Sequence, residues 1–435
     1  MKTLFPIQQL HASILLSSLK KNRSALDASC TGAGKSIIAI EIAKKLGLPT
    51  LIVCPLAVKG MWEALCTEQK FKPIAVINYE HLRSKSNIFC KKIGNQYAWN
   101  MDKESLIIFD EAQRLKSWNS ISNKIGVAAK PMRTLLLSAT LAEDPTHMRA
   151  AGYLLGLHNL RSYFCWMRER GCIMNQWGSP VFNGDKKILD TLHKEIFPSR
   201  GHGLSLADMT DYFPATQTVF ERVNFGDSGK IHELYEAMAD ELAILASTVA
   251  KDKKGAEGLT LQLRARQKTE LLKIPLLIER AQELLDEGRS VVVFCNFNAS
   301  LDALAKAFPT AGQIRGEQNY EERDQVVKDF QTDKIPLIVA NMASGGVGIS
   351  LHGKRPRASL VTLSFNGPDV LQALGRTHRA GGSFNQRFIL TAAGTIEETI
   401  EASVKAKIEN IKIINEGFAT IPETSVPGPA LAQRD

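Results

Sequence analysis

The sequence lacks paired cysteines: seven are scattered over 435 residues, and none has C-x-x-C spacing. This pattern argues against a disulfide framework or a zinc knuckle. No run approaches the roughly 20 apolar residues that span a bilayer. Proline and polar residues interrupt the apolar positions of 4-LFPIQQLH-11, so we expect no signal peptide. These absences together predict reduced thiols and a cytoplasmic protein without a membrane partner.

The composition is that of a folded chain, with 44% hydrophobic and 23% charged residues. A chain of 435 residues is long enough for two or three domains. Lys and Arg number 54 against 45 Asp and Glu, a formal charge of +9, and such an excess attracts polyphosphate. We therefore expect several domains and an anionic partner.

Short apolar runs alternate with helical patterns in two parts of the chain. The first part contains 51-LIVCP-55, 74-IAVIN-78, 105-SLIIFD-110 and 134-TLLLSAT-140, and the second contains 290-SVVVFCNF-297, 335-IPLIVAN-341 and 359-SLVTLSF-365. Buried strands between helices form parallel α/β sheets with chemistry at the carboxyl ends of the strands. We expect an α/β fold with a first lobe over 1–155, a helical and irregular connecting region over 156–275, a second lobe over 276–416 and a flexible tail over 417–435.

A phosphate-binding loop is predicted at 29-SCTGAGKS-36, which fits the frame G-x-x-x-x-G-K-[ST] except that Ser29 replaces the first glycine. In such a loop Lys35 reaches the β- and γ-phosphates, and the Ser36 hydroxyl ligates Mg²⁺. The remaining loop positions, whose backbone surrounds the phosphates, are Thr31, Gly32, Ala33 and Gly34. The predicted ligands are ATP and Mg²⁺.

An acidic pair completes the predicted site. In 105-SLIIFDEAQRL-115, Asp110 and Glu111 follow four apolar residues and therefore end a buried strand. In a P-loop fold an Asp at this point holds Mg²⁺, and the adjacent Glu accepts a proton from the attacking water.

The order of these segments resembles that of superfamily II helicases. Gln8 in 4-LFPIQ-8 matches a glutamine that contacts adenine in that family. The run 138-SAT-140 matches the segment that couples the ATP site to nucleic acid, and 344-SGGVGISL-351 matches the fifth motif. The resemblance implies RecA-like lobes and assigns coupling roles to Ser138, Ala139, Thr140, Gly346 and Gly348.

The sixth motif is the most specific resemblance. The run 372-QALGRTHRAGG-382 contains Q-x-x-G-R-x-x-R, in which Gln372 belongs to the ATP site. Arg376 and Arg379 are three residues apart, so we expect them on one helical face that reaches the γ-phosphate bound to the other lobe.

Details such as DEAQRLKS and Phe365-Asn366 are similar to the Swi/Snf-like group, and the HARP-like annealing helicases are the nearest subgroup. The resemblance implies a monomeric ATP-dependent translocase on duplex or branched DNA, nucleoid-associated or, if virus-encoded, in the host cytoplasm. A strand-separating DNA or RNA helicase and an ATP-gated clamp without turnover are the alternatives. DNA contacts are expected at Lys59, Arg83, Asn298 and Gly345. Trp62 and Trp118 are candidates for base stacking, but core packing is favoured for both.

Overall fold

The computed structural model describes residues 3–84, 86–118, 120–175, 179–223, 228–248, 251–345, 349–364, 366–379 and 381–418. Within these ranges the chain forms two parallel six-stranded sheets with helices packed against them. The α/β fold with two lobes is thereby confirmed. Apart from residues 417 and 418, the predicted tail lies outside the described residues.

The first sheet and two small hairpins are built from strands of the first half of the chain. In chain order these are β1 (Ser24–Asp27), β2 (Thr50–Cys54), β3 (Ala75–Asn78), β4 (Cys90–Ile93), β5 (Gln96–Trp99), β6 (Leu106–Asp110), β7 (Arg133–Leu137), β8 (Cys172–Met174), β9 (Pro180–Phe182) and β10 (Gly201–His202). The sheet order is β10-β1-β7-β6-β2-β3, and β4-β5 and β8-β9 form antiparallel pairs. The four apolar runs predicted as strands of this lobe form β2, β3, β6 and β7.

The second sheet has the order β11-β16-β15-β12-β14-β13. Its strands are β11 (Thr216–Val223), β12 (Ser290–Cys295), β13 (Gly312–Ile314), β14 (Leu337–Asn341), β15 (Arg357–Thr362) and β16 (Asn385–Ala392). The central strands β12 and β15 are buried along their whole length, as expected in a parallel sheet covered on both faces.

The helices cover both sheets and fill much of the connecting region. They are α1 (Pro6–Asn22), α2 (Lys35–Leu46), α3 (Lys59–Glu68), α4 (Tyr79–Arg83), α5 (Ile121–Ala128), α6 (Arg149–Leu155), α7 (Tyr163–Glu169), α8 (Lys186–Ile196), α9 (Ser228–Thr248), α10 (Lys251–Leu272), α11 (Ile274–Asp286), α12 (Asn298–Ala307), α13 (Tyr320–Gln331), α14 (Met342–Gly345), α15 (Gly367–Leu374) and α16 (Glu397–Glu416). No helix of the described residues is long and apolar enough to cross a membrane.

The connecting region contributes to both sheets, so the lobes extend beyond the boundaries expected at 155 and 276. Strand β10 pairs with β1 at the edge of the first sheet, and β11 pairs with β16 along eight residues at the edge of the second. Edge strands are exposed on one side and carry less apolar character than central strands, so the apolar-run criterion does not find them. The helical pair α9 and α10 follows β11 and therefore belongs in sequence to the second lobe.

The end of α16 joins the second lobe to the first. Ile413 and Ile414 are buried in the apolar core of the first lobe, which also contains Leu189, Leu192 and Ile196 of α8. The next residue, Asn415, donates a hydrogen bond of 2.8 Å to the carbonyl oxygen of Ala139. This packing fixes the last turn of α16 against the first lobe.

Candidate nucleotide site between the lobes

The predicted phosphate loop connects the end of β1 to the start of α2. Gly32 and Gly34 have φ angles of 88° and 89°, in the left-handed region that favours glycine. The Lys35 ammonium folds back and donates to the carbonyl oxygens of Ser29 and Cys30 at 2.8 and 3.0 Å. The loop therefore offers the amino end of α2 and a lysine, and its glycines let the backbone come close to a ligand. These features together suit a phosphate group.

Ser29, which departs from the usual glycine, is fully buried and tied into the fold. Its hydroxyl accepts a 3.0 Å hydrogen bond from the Leu204 backbone and lies 3.2 Å from Nε2 of His11. The same His11 nitrogen lies 3.2 Å from Asp27. Burial opposes ionisation of Asp27, but the charge and hydrogen bond of His11 hold its pKa below the usual value. Ser29 thus fastens the phosphate loop to α1 and to the segment after β10.

Asp110 ends β6 and is oriented by two aromatic side chains. The Trp62 indole donates to Oδ2 at 2.7 Å, and the Tyr79 hydroxyl donates to the Asp110 carbonyl oxygen at 2.8 Å. Burial and the neighbouring Glu111 charge raise the pKa of Asp110 to about 7. Trp62 itself is fully buried, so the expectation of core packing is confirmed for this residue.

Glu111 has left-handed backbone angles, φ 52° and ψ 54°, which are costly for a residue with a side chain. Its Oε2 atom accepts a 2.7 Å hydrogen bond from the Gln113 side chain, whose Oε1 atom accepts from the Ser138 hydroxyl at 2.7 Å. Gln372 of the second lobe approaches the same Oε2 atom at 3.5 Å. One chain of polar contacts therefore joins the DEAQ segment, the 138–140 segment and the second lobe.

The two arginines of the sixth motif reach the first lobe, but the expectation that they lie on one helical face is wrong. Helix α15 ends at Leu374, and both arginines follow in an irregular segment. That segment is held to the second sheet, because the Leu351 backbone donates to the Arg376 carbonyl oxygen at 2.8 Å. Arg376 is buried beside the charges of Asp110 and Glu111, and Arg379 lies against Gly32.

Burial and the charge of Arg376 lower the pKa of Arg379 to about 9. Two guanidinium groups at one buried interface, next to a glycine-rich loop, form a strongly cationic site. A phosphate group bound there would offset both the burial and the mutual repulsion of the two cations.

At Gly375 the second lobe approaches the phosphate loop closely. A Cβ atom at this position would lie 1.9 Å from the hydroxyl oxygen and 2.6 Å from the Cβ of Thr31 in the phosphate loop. The Gly375 backbone angles, φ −78° and ψ −2°, are acceptable for alanine. The requirement for glycine therefore comes from the opposite lobe and not from the local conformation.

We expect Gly375→Ala to keep each lobe folded but to push the sixth motif away from the phosphate loop. ATP hydrolysis should fall roughly 10²-fold, the cost of about 1 Å of misplacement at a reacting centre. Steady-state ATPase and melting temperature check this result. Thr31→Gly in the same chain makes room for the new methyl group and should restore activity, whereas a double variant as inactive as the single one would contradict the clash.

The other predicted nucleotide contacts lie around the same loop. Gln8 is buried, and its amide donates to the Ala33 carbonyl oxygen at 2.8 Å while accepting from the Phe5 backbone at 2.9 Å. Thr140 donates from its backbone to the Ser138 hydroxyl at 3.1 Å. The predicted coupling glycines Gly346 and Gly348 lie outside the described residues.

The predicted nucleic-acid contacts follow the carboxyl ends of strands in both lobes. Lys59 begins α3 after β2 and pairs with Glu63 at 3.6 Å, and Arg83 ends α4 after β3. Asn298 begins α12 after β12, and Gly345 ends α14 after β14. A cavity of about 460 Å³ opens between these edges, lined by residues of both lobes that include Lys116, Arg266, Asn296, Phe297, Asn366 and Lys407. We call it the interlobe cavity.

Comparison with known proteins places this geometry in a family. Residues 275–381 match the helicase conserved C-terminal domain. A protein of Acanthamoeba polyphaga mimivirus, whose name describes an ATP-dependent RNA helicase, is 30% identical over 95% of this chain and 84% of its own length. The chain therefore belongs to the superfamily II helicases, and within them to the Swi/Snf-like group. It is an ATP-hydrolysing helicase or translocase.

The names of two further relatives refer to chromatin. The human SWI/SNF-related regulator of chromatin subfamily A member 1 is 23% identical over 79% of this chain. The Caenorhabditis elegans homolog of the subfamily A-like protein 1 is 24% identical over 96%. The chain spans 34% of the human protein and 63% of the nematode protein, so it corresponds to part of each.

Proposed function

We propose that this protein is a translocase that couples ATP hydrolysis to movement along double-stranded or branched DNA. The observation that carries the proposal is the meeting of Arg376, Arg379 and Gln372 of the second lobe with the phosphate loop and Glu111 of the first. A nucleotide bound at this interface contacts both lobes, so its binding favours closure and its hydrolysis favours release.

Each side chain of the site then has one task in ATP hydrolysis. Lys35 leaves the Ser29 and Cys30 carbonyl oxygens to contact the β- and γ-phosphates. Glu111 accepts a proton from the attacking water, and Gln113 holds its carboxylate in position. Arg376 and Arg379 stabilise the charge that develops on the transferred phosphoryl group.

The residues present also fit Mg²⁺. Ser36 and Asp110 offer hard oxygen ligands of the kind that this ion prefers, together with phosphate oxygens. Burial and the charge of Glu111 raise the pKa of the Asp110 carboxyl, so a divalent ion beside it would stabilise the charged form. When bound, the ion would neutralise charge on the phosphates, while Trp62 keeps the carboxylate oriented and Tyr79 holds the Asp110 backbone.

Duplex or branched DNA is the proposed track because the chain carries +9 net charge and belongs to the Swi/Snf-like group. The name of the mimivirus relative favours RNA, so RNA is the second candidate. ATPase assays with blunt duplex DNA, forked DNA, single-stranded DNA and RNA decide between them. We expect DNA that contains a duplex to stimulate ATP hydrolysis most. Stimulation by RNA and by none of the DNA substrates would contradict the proposal.

Binding should weaken steeply with salt and depend little on base sequence, because a translocase contacts mainly backbone phosphates. Neutralising six phosphates, for example, would reduce affinity by roughly 10³ between 50 and 200 mM salt. Fluorescence anisotropy with two duplexes of equal length and unrelated sequence measures both effects. A flat salt response together with preference for one sequence would indicate a site-specific binder instead.

A further inference from the structure

A second cavity, of about 450 Å³, lies in the first lobe beside the β8-β9 hairpin. Its walls include Lys116, Ser117, Trp118, Thr146, Phe164 and Met174. We call it the aromatic pocket. Its volume is within the roughly 300–1,000 Å³ of ligand sites, and none of the nucleotide-site residues lines it.

The aromatic side chains of this pocket are held on a rigid base. Tyr163 is buried, and its hydroxyl donates to the Thr146 carbonyl oxygen at 2.9 Å. The Trp118 ring stacks on Tyr163, with ring centres 5.4 Å apart and planes inclined by 20°. The Phe164 ring lies 5.0 Å from Trp118. The expectation of core packing therefore applies only partly to Trp118, which is half-buried and forms a wall of the cavity.

Two large apolar side chains lie at the open side of the aromatic pocket. Phe164 is 50% exposed and Met174 is 52% exposed. Clustered large apolar side chains on a surface commonly mark an interaction site. Among the described residues, the rings of Trp118 and Tyr163 contact the Phe164 ring, and no other ring covers its exposed face.

Exposed arginines beside the aromatic pocket favour an anionic occupant. Lys116 lines the pocket and is itself paired with Glu143 at 2.6 Å, and the described lining residues include no Asp or Glu. Arg161 and Arg168 are exposed three residues before and four residues after Phe164, on and beside α7. Asp144, a nearby carboxylate, already accepts hydrogen bonds from the backbone and hydroxyl of Thr146. A planar aromatic group can stack on the rings, and a negatively charged backbone attached to it can pair with the cations.

Lys116 lines the interlobe cavity as well as the aromatic pocket. A nucleic-acid strand that leaves the interlobe cavity past Lys116 therefore reaches the aromatic pocket directly. We propose that the aromatic pocket binds an unpaired nucleobase of that strand, stacked on Phe164. The proposal rests on the proposed function, in which nucleic acid lies between the lobes.

The consequence is a preference for DNA with unpaired nucleotides next to a duplex. A base can stack on a side chain only when one of its faces is free of neighbours, so a paired and stacked base must first leave the duplex at a cost of a few kcal/mol. A fork or a single-stranded arm offers such bases without that cost.

The test compares a blunt duplex with the same duplex carrying a single-stranded arm that contains a fluorescent adenine analogue. The wild type should bind the armed duplex more tightly and quench the analogue. Phe164→Ala, a change at a half-exposed position, should reduce the ratio of armed to blunt affinity roughly tenfold and abolish quenching. Phe164→Tyr should retain both, because it keeps the ring.

Ile93→Ala is the matched control, since Ile93 is an apolar residue, 66% exposed, on the separate β4-β5 hairpin. It should leave the ratio unchanged. An unchanged ratio in Phe164→Ala, with normal binding of the blunt duplex, would overturn this inference alone. Absence of binding to every nucleic acid would overturn the proposed function and this inference together.

Discussion

Glu111→Gln should bind ATP and scarcely hydrolyse it. The amide has the shape of the carboxylate but cannot accept a proton from water, and a positioned general base contributes about 10²–10⁴ in rate. The left-handed backbone of Glu111 and its 2.7 Å contact with Gln113 hold the carboxylate in one place. We expect single-turnover hydrolysis to fall by about 10³ with ATP affinity changed less than a few-fold.

The matched control is Glu104→Gln. Glu104 is an exposed carboxylate that pairs with Arg23 at 2.9 Å and with Arg133. Glu104 precedes β6 and Glu111 follows it, so the two carboxylates lie at opposite ends of this strand. It should hydrolyse ATP at the wild-type rate. Turnover within a few-fold of wild type in Glu111→Gln, measured on protein that binds ATP, would move the general base to another residue.

The central strands and the residues at their ends were predictable, because both signals are local in the sequence. Four apolar residues before Asp110 identify a buried strand, and the P-loop frame identifies the start of α2. Gln113 was not predicted to belong to the site, although it stands in the DEAQ segment itself. Its role depends on Ser138, 25 residues away, and only the paired strands β6 and β7 bring the two together.

The contacts of Ser29 and Gly375 could not be predicted, because their partners come from distant parts of the chain. Ser29 contacts His11 and Leu204, and Gly375 packs against Thr31 of the other lobe. The helical placement of the two arginines failed for a related reason. A spacing of three residues fits a helix, but α15 ends at Leu374, before the first arginine.

Arg379→Ala should separate a catalytic role from a packing role. Arg379 lies against Gly32, since a Cβ atom at Gly32 would be 2.4 Å from its guanidinium nitrogen Nη1. An arginine that stabilises phosphoryl transfer is worth about 10³–10⁵ in rate in GTPases, so hydrolysis should fall by at least 10²-fold. ATP affinity should change little, because Lys35, Ser36 and the loop backbone remain on the first lobe.

The melting temperature without nucleotide gives the discriminating measurement. Burial and Arg376 lower the pKa of Arg379, so its charge is costly to the folded protein before phosphate binds. Alanine removes that cost, and we expect the nucleotide-free variant to melt no lower than the wild type while ATP stabilises it less. Arg289→Ala, which removes an arginine paired with Glu287 at 2.9 Å just before β12, is the control and should retain turnover. An Arg379→Ala protein that melts at a lower temperature but hydrolyses ATP normally per folded molecule would show that the arginine only packs. The shared site between the lobes would then have to rest on Arg376 and Gln372.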